Sequence, residues 1–132
     1  MARYVIAPDT ALYLAERAAV IAPAHQLVAP TLLRSQVLAI LFTAVRQGAL
    51  TRKEADRQLD YLRAQRIRLL GDRVLQASAW RVAEQLGWKD TFVAEYIALT
   101  RLQADAFVTM DAGLARQAES LVPIAAVSDI VG

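Results

Sequence analysis

Short apolar runs that alternate with helical segments are the feature that most constrains how this chain folds. The runs are residues 3–7, 66–70, 106–109 and 124–127, and sequence of helical character lies between them. Strands that alternate with helices build parallel sheets whose two faces are both covered. The pattern therefore predicts an α/β fold, a three-layer α/β/α sandwich around a short central parallel sheet.

Signals at the ends of these segments predict where helices begin. Asp9 or Thr10 is expected to cap a helix that follows the first strand. Residues 23–30 are expected to form a connection, since a proline stands at each end. Thr51 and Glu54 have the spacing of a capping box, which predicts another helix start.

Length and composition exclude several classes of protein. A chain of 132 residues with 56% hydrophobic residues has room for one core, so one domain over residues 1–132 is expected. The absence of cysteine excludes disulfides and thiolate sites, and a single histidine, His25, excludes sites that need two. No Gly-rich phosphate loop is present. Neither a signal peptide nor an apolar run of about 20 residues is present, so a cytoplasmic location without membrane association is expected.

Carboxylates follow the predicted strands and begin the predicted helices. Asp9 follows the first strand, Asp111 follows the third, and Asp90 begins the helix before that third strand. Sites in parallel sheets form beyond the carboxyl ends of the strands. Acids brought together there would favour a divalent cation such as Mg²⁺, although spacing alone favours helix capping as the role of Asp9 and Asp90.

Four segments resemble the PIN-domain family, in particular toxins of the VapC type. They are Val5–Leu14, Ala29–Val37, Ala94–Thr100 and Ala106–Ala115. The resemblance implies a Rossmann-like α/β/α sandwich that cleaves RNA with Mg²⁺ or Mn²⁺ held by a cluster of acids. It also implies a homodimer and neutralisation by a cognate antitoxin protein.

The acidic positions of the family are only partly kept. Asp111 carries over directly, but the family's helix-borne Glu matches Gln36 and a further Asp matches Val93. At the first strand an ungapped alignment places Ala7 at the acidic position, and a shift of two residues places Asp9 there. We prefer the shift, because it keeps an acid at the end of the strand.

The resemblance then assigns roles to the remaining candidates. Asp9, Asp90 and Asp111 are expected to bind the metal and to be catalytic, while Gln36 and Thr109 would orient metal-bound water. Asp90 enters this set because it lies one helical turn before Val93. Glu95 is two residues beyond Val93 and is expected to face elsewhere.

Several residues outside the acidic set have two interpretations each. The basic residues Arg34, Arg46, Arg52 and Lys53 either contact RNA phosphates or form an ordinary solvated surface. Trp80 and Trp88 either stack on bases or pack in the interior. The apolar stripe from Leu33 to Phe42 either fills the core or supplies a dimer or antitoxin interface.

The resemblance implies two candidate functions. The first is a VapC-like toxin, a Mg²⁺-dependent endoribonuclease. The alternative is a weakened or inactive PIN-fold module that binds an antitoxin or RNA without cleaving, and both Gln36 and Val93 favour it. A Rossmann nucleotide-binding protein is disfavoured, because no glycine-rich turn follows the first strand.

Overall fold

A computed structural model describes residues 2–132 and contains one parallel sheet with helices around it. The strands are β1 (Arg3–Ile6), β2 (Gln26–Pro30), β3 (Arg68–Leu70) and β4 (Ala106–Val108). The helices are α1 (Pro8–Glu16), α2 (Leu32–Arg46), α3 (Arg52–Ala64), α4 (Arg73–Leu86), α5 (Phe92–Gln103) and α6 (Ala112–Ala118). A short 3₁₀ turn, Val127–Asp129, follows near the end of the chain.

The sheet has the strand order β3-β2-β1-β4, and every neighbouring pair is parallel. Helices α1, α2 and α3 pack on one another, while α4 packs on α5, which lies against β1, β2 and β4. The predicted three-layer α/β/α sandwich is therefore confirmed. No helix in the described part of the chain is both long and apolar enough to cross a membrane.

The central strands are apolar because both faces of the sheet are covered. Val5 pairs with Val28 on one side and with Phe107 on the other, and all three side chains are buried. Strands buried on both faces need continuous rather than alternating apolar sequence, which is what these short runs provide.

The segment Gln26–Pro30 is a strand, so the expectation of a connection over residues 23–30 was wrong. Residues 27–30 are buried between β1 and β3. Pro30 is the last residue of this central strand, so its missing N–H interrupts the hydrogen-bond ladder only where the strand ends. The next residue resumes the pairing, since Thr31 N donates to the Leu70 carbonyl oxygen at 3.2 Å.

The strands predicted at the two ends of the chain differ from those observed: the first is shorter and the last does not form. Residues 124–127 form no strand, because only Ile124 makes a bridge, to Phe107, before the 3₁₀ turn begins. At the other end β1 stops at Ile6, and Ala7 is the N-cap of α1 with Pro8 in its first turn. Asp9 therefore lies within the first turn of the helix, and neither Asp9 nor Thr10 is the cap.

The capping box predicted for α3 is confirmed. Thr51 Oγ1 accepts from Glu54 N at 3.1 Å, and Thr51 N donates to Glu54 Oε1 at 3.0 Å. These two hydrogen bonds satisfy amide groups that the start of a helix leaves without partners. Hydrogen bonding to the Thr51 backbone and side chain also lowers the pKa of the Glu54 carboxyl.

Candidate acidic site

The carboxyl ends of β1 and β4 lie side by side and fix the start of α1. Ala7 N donates to the Val108 carbonyl oxygen at 3.0 Å. The buried Thr10 hydroxyl donates to the same oxygen, also at 3.0 Å. The first turn of α1 is therefore tied to the end of β4, and this brings the exposed Asp9 next to the residues that follow β4.

A threonine hydroxyl links two of the predicted acids. Thr109 Oγ1 donates to Asp9 Oδ2 at 3.1 Å and accepts from Asp111 N at 3.2 Å. Asp111 in turn caps α6, because its Oδ1 accepts from Leu114 N at 3.1 Å. Asp9, Thr109 and Asp111 thus lie together at the carboxyl edge of the sheet.

Asp90 lies on the other side of Asp111. Its Oδ1 accepts from Phe92 N at 3.1 Å at the start of α5. Asp90 and Asp111 line one cavity of about 450 Å³, together with Val93 and Trp88. Val93, which matches an acidic position of the PIN family, therefore contributes an apolar side chain to a cavity that two of the predicted acids line.

Gln36 is engaged by a tyrosine of α5. The Tyr96 hydroxyl donates to Gln36 Oε1 at 2.5 Å, which joins α2 to α5. Tyr96 is only 2% exposed, and burial raises its pKa well above the ordinary value, with smaller contributions from the charges of Glu95 and Asp9. The phenol is therefore a neutral donor at physiological pH, and it occupies the amide oxygen that we expected to orient water.

Tyr96 belongs to this region although no motif in the sequence marks it. Tyr96 lies three residues after Val93, so helical spacing alone places both on one face of α5. The expectation that Glu95 faces away from the acidic site stays a prediction, although its charge contributes to the raised pKa of Tyr96. Burial also raises the pKa of the Glu95 carboxyl.

The acids do not form a metal cage. Among residues 2–132, no three Asp, Glu or His side chains converge closely enough to hold a metal ion. Hard cations such as Mg²⁺ need several oxygen ligands at short range. The side chains as they stand do not fit the resident Mg²⁺ or Mn²⁺ that the PIN resemblance implies, so no catalytic step follows from them.

The basic residues are divided between two places. Arg34 lies near the start of α2, two residues before Gln36. The other predicted RNA contacts lie on either side of the turn between α2 and α3: Arg46 ends α2, and Arg52 and Lys53 begin α3. Ten residues of helix separate Arg46 from Gln36, a distance of about 15 Å along the axis. The structure does not bring these three residues to the acidic site, and their contact with RNA stays a prediction.

Glu95→Gln is expected to raise the melting temperature at pH 7 and to leave it unchanged near pH 4. Burial raises the pKa of Glu95 above its usual 4.5, so the folded state favours the protonated carboxyl. The stability linked to this group is complete below the unfolded pKa and is lost as the pH rises through the folded pKa. Glutamine cannot ionise, so the variant does not lose this stability as the pH rises. Thermal melts between pH 4 and 8 measure the difference.

A matched variant tests the cause. Glu119→Gln removes an exposed carboxyl at the end of α6 and is expected to leave the pH profile of wild type unchanged. If the melting temperatures of Glu95→Gln and wild type differ by the same amount at every pH, burial of the charged form is not the cause.

The sequence matches no family model and no curated protein. Among solved structures, the chain is similar to the crystal structure of PAE2754 from Pyrobaculum aerophilum, with a TM-score of 0.72. The two chains are 18% identical, and the similarity covers 97% of this chain and 92% of the other. At this identity the likeness concerns the fold alone, so the chain has the three-layer α/β/α fold of that protein.

Proposed function

We propose that this chain is a VapC-like PIN module that binds RNA and has lost efficient cleavage. One observation carries the proposal: the cavity beside Asp111 contains Val93 where the PIN resemblance implies an acid. Gln36, which matches a second acid, is neutral and already accepts a hydrogen bond from Tyr96. Affinity for hard cations depends on the charge of the ligands, so these two residues weaken metal binding.

The charge distribution supports a polyanionic partner. The chain has 15 Lys and Arg residues against 13 Asp and Glu residues. Arg34, Arg46 and Lys53 are exposed and form no ion pair within residues 2–132. Their charges are available for phosphate groups, which supply the salt-dependent part of nucleic-acid binding. A cytoplasmic location belongs to the same proposal.

A groove between α2, α3 and β3 supports the antitoxin as a second partner. Its volume is about 440 Å³, and its wall is mostly apolar, with Leu33 and Leu62 among the lining residues. Arg34, Arg63 and Arg66 line the groove as well, and no acidic residue does. An amphipathic helix with acidic side chains beside its apolar face fits this chemistry.

Leu38 and Phe42, exposed on α2, supply apolar surface for the proposed homodimer.

Ribonuclease activity is the second candidate function, and one observation favours it. Thr109 holds Asp9 and Asp111 at the same sheet edge, with Asp90 across the adjoining cavity. Mg²⁺ commonly binds through one or two carboxylates and a substrate phosphate, so an RNA phosphate would have to complete such a site.

The two candidates are separated by measuring RNA binding and cleavage on the same preparation. A fluorescently labelled single-stranded RNA is expected to bind with an affinity that falls steeply as salt increases. Cleavage in the presence of Mg²⁺ or Mn²⁺ is expected to stay at the level of the buffer control. Anisotropy measures binding, and denaturing gels measure cleavage.

Two variants decide the interpretation of any cleavage that is seen. Asp111→Asn removes the acid at the carboxyl end of β4, whereas Asp105→Asn changes an acid at the opposite end of the same strand. Metal-dependent cleavage that Asp111→Asn abolishes and Asp105→Asn preserves would establish the ribonuclease. Absence of RNA binding at low salt would contradict the proposed function itself.

A further inference from the structure

The cavity beside Asp111 combines an indole ring, two carboxylates and apolar side chains. Its lining includes Trp88, Lys89, Asp90, Val93, Asp111 and Leu114. Its volume of about 450 Å³ falls in the range of small-molecule pockets, roughly 300–1,000 Å³. We propose that this cavity receives one unpaired guanine base of a single-stranded RNA, an inference that rests on the proposed RNA binding.

The indole of Trp88 stands on a fixed backbone. Gly87 ends α4 in the left-handed conformation, with φ of +66°, which a residue without a Cβ adopts freely. Trp88 N then donates to the Ala83 carbonyl oxygen at 2.9 Å, closing the end of the helix. Trp88 is half-buried and packs against the core. A ring held in this way offers a stacking surface without the cost of ordering it on binding.

The two carboxylates have unused acceptor capacity. Asp90 Oδ1 accepts from Phe92 N, and Asp111 Oδ1 accepts from Leu114 N. The second oxygen of each carboxylate accepts no hydrogen bond from any group in the described part of the chain. Both side chains are exposed, so water solvates these oxygens. An ionised carboxylate is an acceptor only, so a ligand that displaces this water must bring hydrogen-bond donors.

Guanine is the base that supplies such donors. The N1–H and N2–H groups lie next to each other on its Watson–Crick edge, and a carboxylate can accept from both at once. Adenine and cytosine place a lone pair beside the amino group, and uracil places carbonyl oxygens on both sides of its N–H. Each of these lone pairs would repel the carboxylate, so guanine is preferred.

The other walls argue against a metal ion or an arginine side chain as occupant. Val93 and Leu114 present hydrocarbon, which suits the face of a base and supplies no ligand for a hydrated cation, and the exposed Gln117 adds only a neutral amide. Lys89 lines the same cavity and repels a guanidinium group, but it can pair with the phosphate of the bound nucleotide.

The test uses Trp88 as the reporter. Trp80→Phe in the full chain removes the other tryptophan, which is 65% exposed on α4, and leaves Trp88 alone. Fluorescein-labelled uridine hexamers carrying G, A, C or U at one central position are titrated in EDTA, so that no cleavage occurs. Anisotropy reports RNA binding, and Trp88 fluorescence reports occupation of the cavity.

The guanine hexamer is expected to bind about tenfold more tightly than the others and to quench Trp88. Asp111→Asn should weaken binding of the guanine hexamer until it lies within about twofold of the other three, since the amide offers only one acceptor oxygen. Asp105→Asn, at the other end of β4, should retain the full preference. Circular dichroism melts verify that each variant is folded.

Three results would overturn the inference. Equal binding of all four hexamers with unchanged Trp88 fluorescence would exclude the base pocket and leave the proposed RNA binding intact. No anisotropy change with any hexamer would contradict both the base pocket and the proposed RNA binding. Quenching of Trp88 by the peptide acetyl-Ala-Arg-Ala-amide, but by no RNA, would assign the cavity to a protein partner.

Discussion

The double variant Gln36→Glu, Val93→Asp is expected to bind Mg²⁺ and Mn²⁺ at least about ten times more tightly than wild type. Val93 lines the same cavity as Asp90 and Asp111, so an acid there adds a third carboxylate to the lining of that cavity. The Gln36→Glu change supplies a second new charge on the facing helix α2. Calorimetric titration of each metal into the purified variant measures the affinity.

Both substitutions suit their surroundings. Val93 is only partly buried on an open cavity, so an aspartate there remains in contact with water. Gln36→Glu keeps an oxygen that can accept from the Tyr96 hydroxyl, as Gln36 Oε1 does. The added carboxylates repel one another and raise their own pKa values. Metal affinity should therefore increase between pH 6 and pH 8.

Two controls isolate the effect of charge. Val93→Asn has nearly the shape of Val93→Asp without its charge and is expected to bind metal no better than wild type. Asp111→Asn, added to the double variant, should cancel most of the gain. A folded double variant that shows no gain in affinity for either metal would mean that these residues do not surround a latent metal site.

The architecture was largely predictable because three of the four short apolar runs lie in strands of the sheet, while the fourth, residues 124–127, makes only a bridge. Strand β4 and helix α5 were recognised from composition, and the α3 capping box from the spacing of Thr51 and Glu54. Strand β2 was missed because Pro23 and Pro30 suggested a connection. The position of a proline within a strand, and not its presence, decides whether the strand forms.

The acidic edge was predictable only in part. Asp111 follows a buried strand, so its place at the sheet edge could be inferred from the sequence. The place of Asp9 could not be inferred in the same way. Strand β1 and helix α1 meet without a linker, and the alignment to the PIN family allowed either Ala7 or Asp9 at the acidic position. Pro8 was the available signal, since proline favours the first turn of a helix. The hydrogen bond between Tyr96 and Gln36 joins residues 60 positions apart, which no local pattern records.

Phe107→Ala is expected to destabilise the protein by about 3–5 kcal/mol. Phe107 is fully buried in β4, pairs with Val5 of β1, and lies 6.4 Å from Tyr96 between ring centroids. Removing the ring loses its burial and leaves a cavity that close-packed neighbours cannot fill. Natural domains have only about 5–15 kcal/mol of stability, so the melting temperature should fall by roughly 10 °C or more. Urea unfolding followed by circular dichroism gives the free energy.

Phe107→Ala is also expected to disturb the acidic edge, because β4 leads directly into Thr109 and Asp111.

Trp80→Ala is the matched control, because it also removes an aromatic ring, but one that is 65% exposed. The expected loss in the free energy of unfolding is about 0.5 kcal/mol or less. A loss below about 1 kcal/mol for Phe107→Ala would mean that the neighbouring side chains repack around the vacated space. Because Tyr96 packs against Phe107 and donates to Gln36, such repacking would extend to the hydrogen bond that joins α5 to α2.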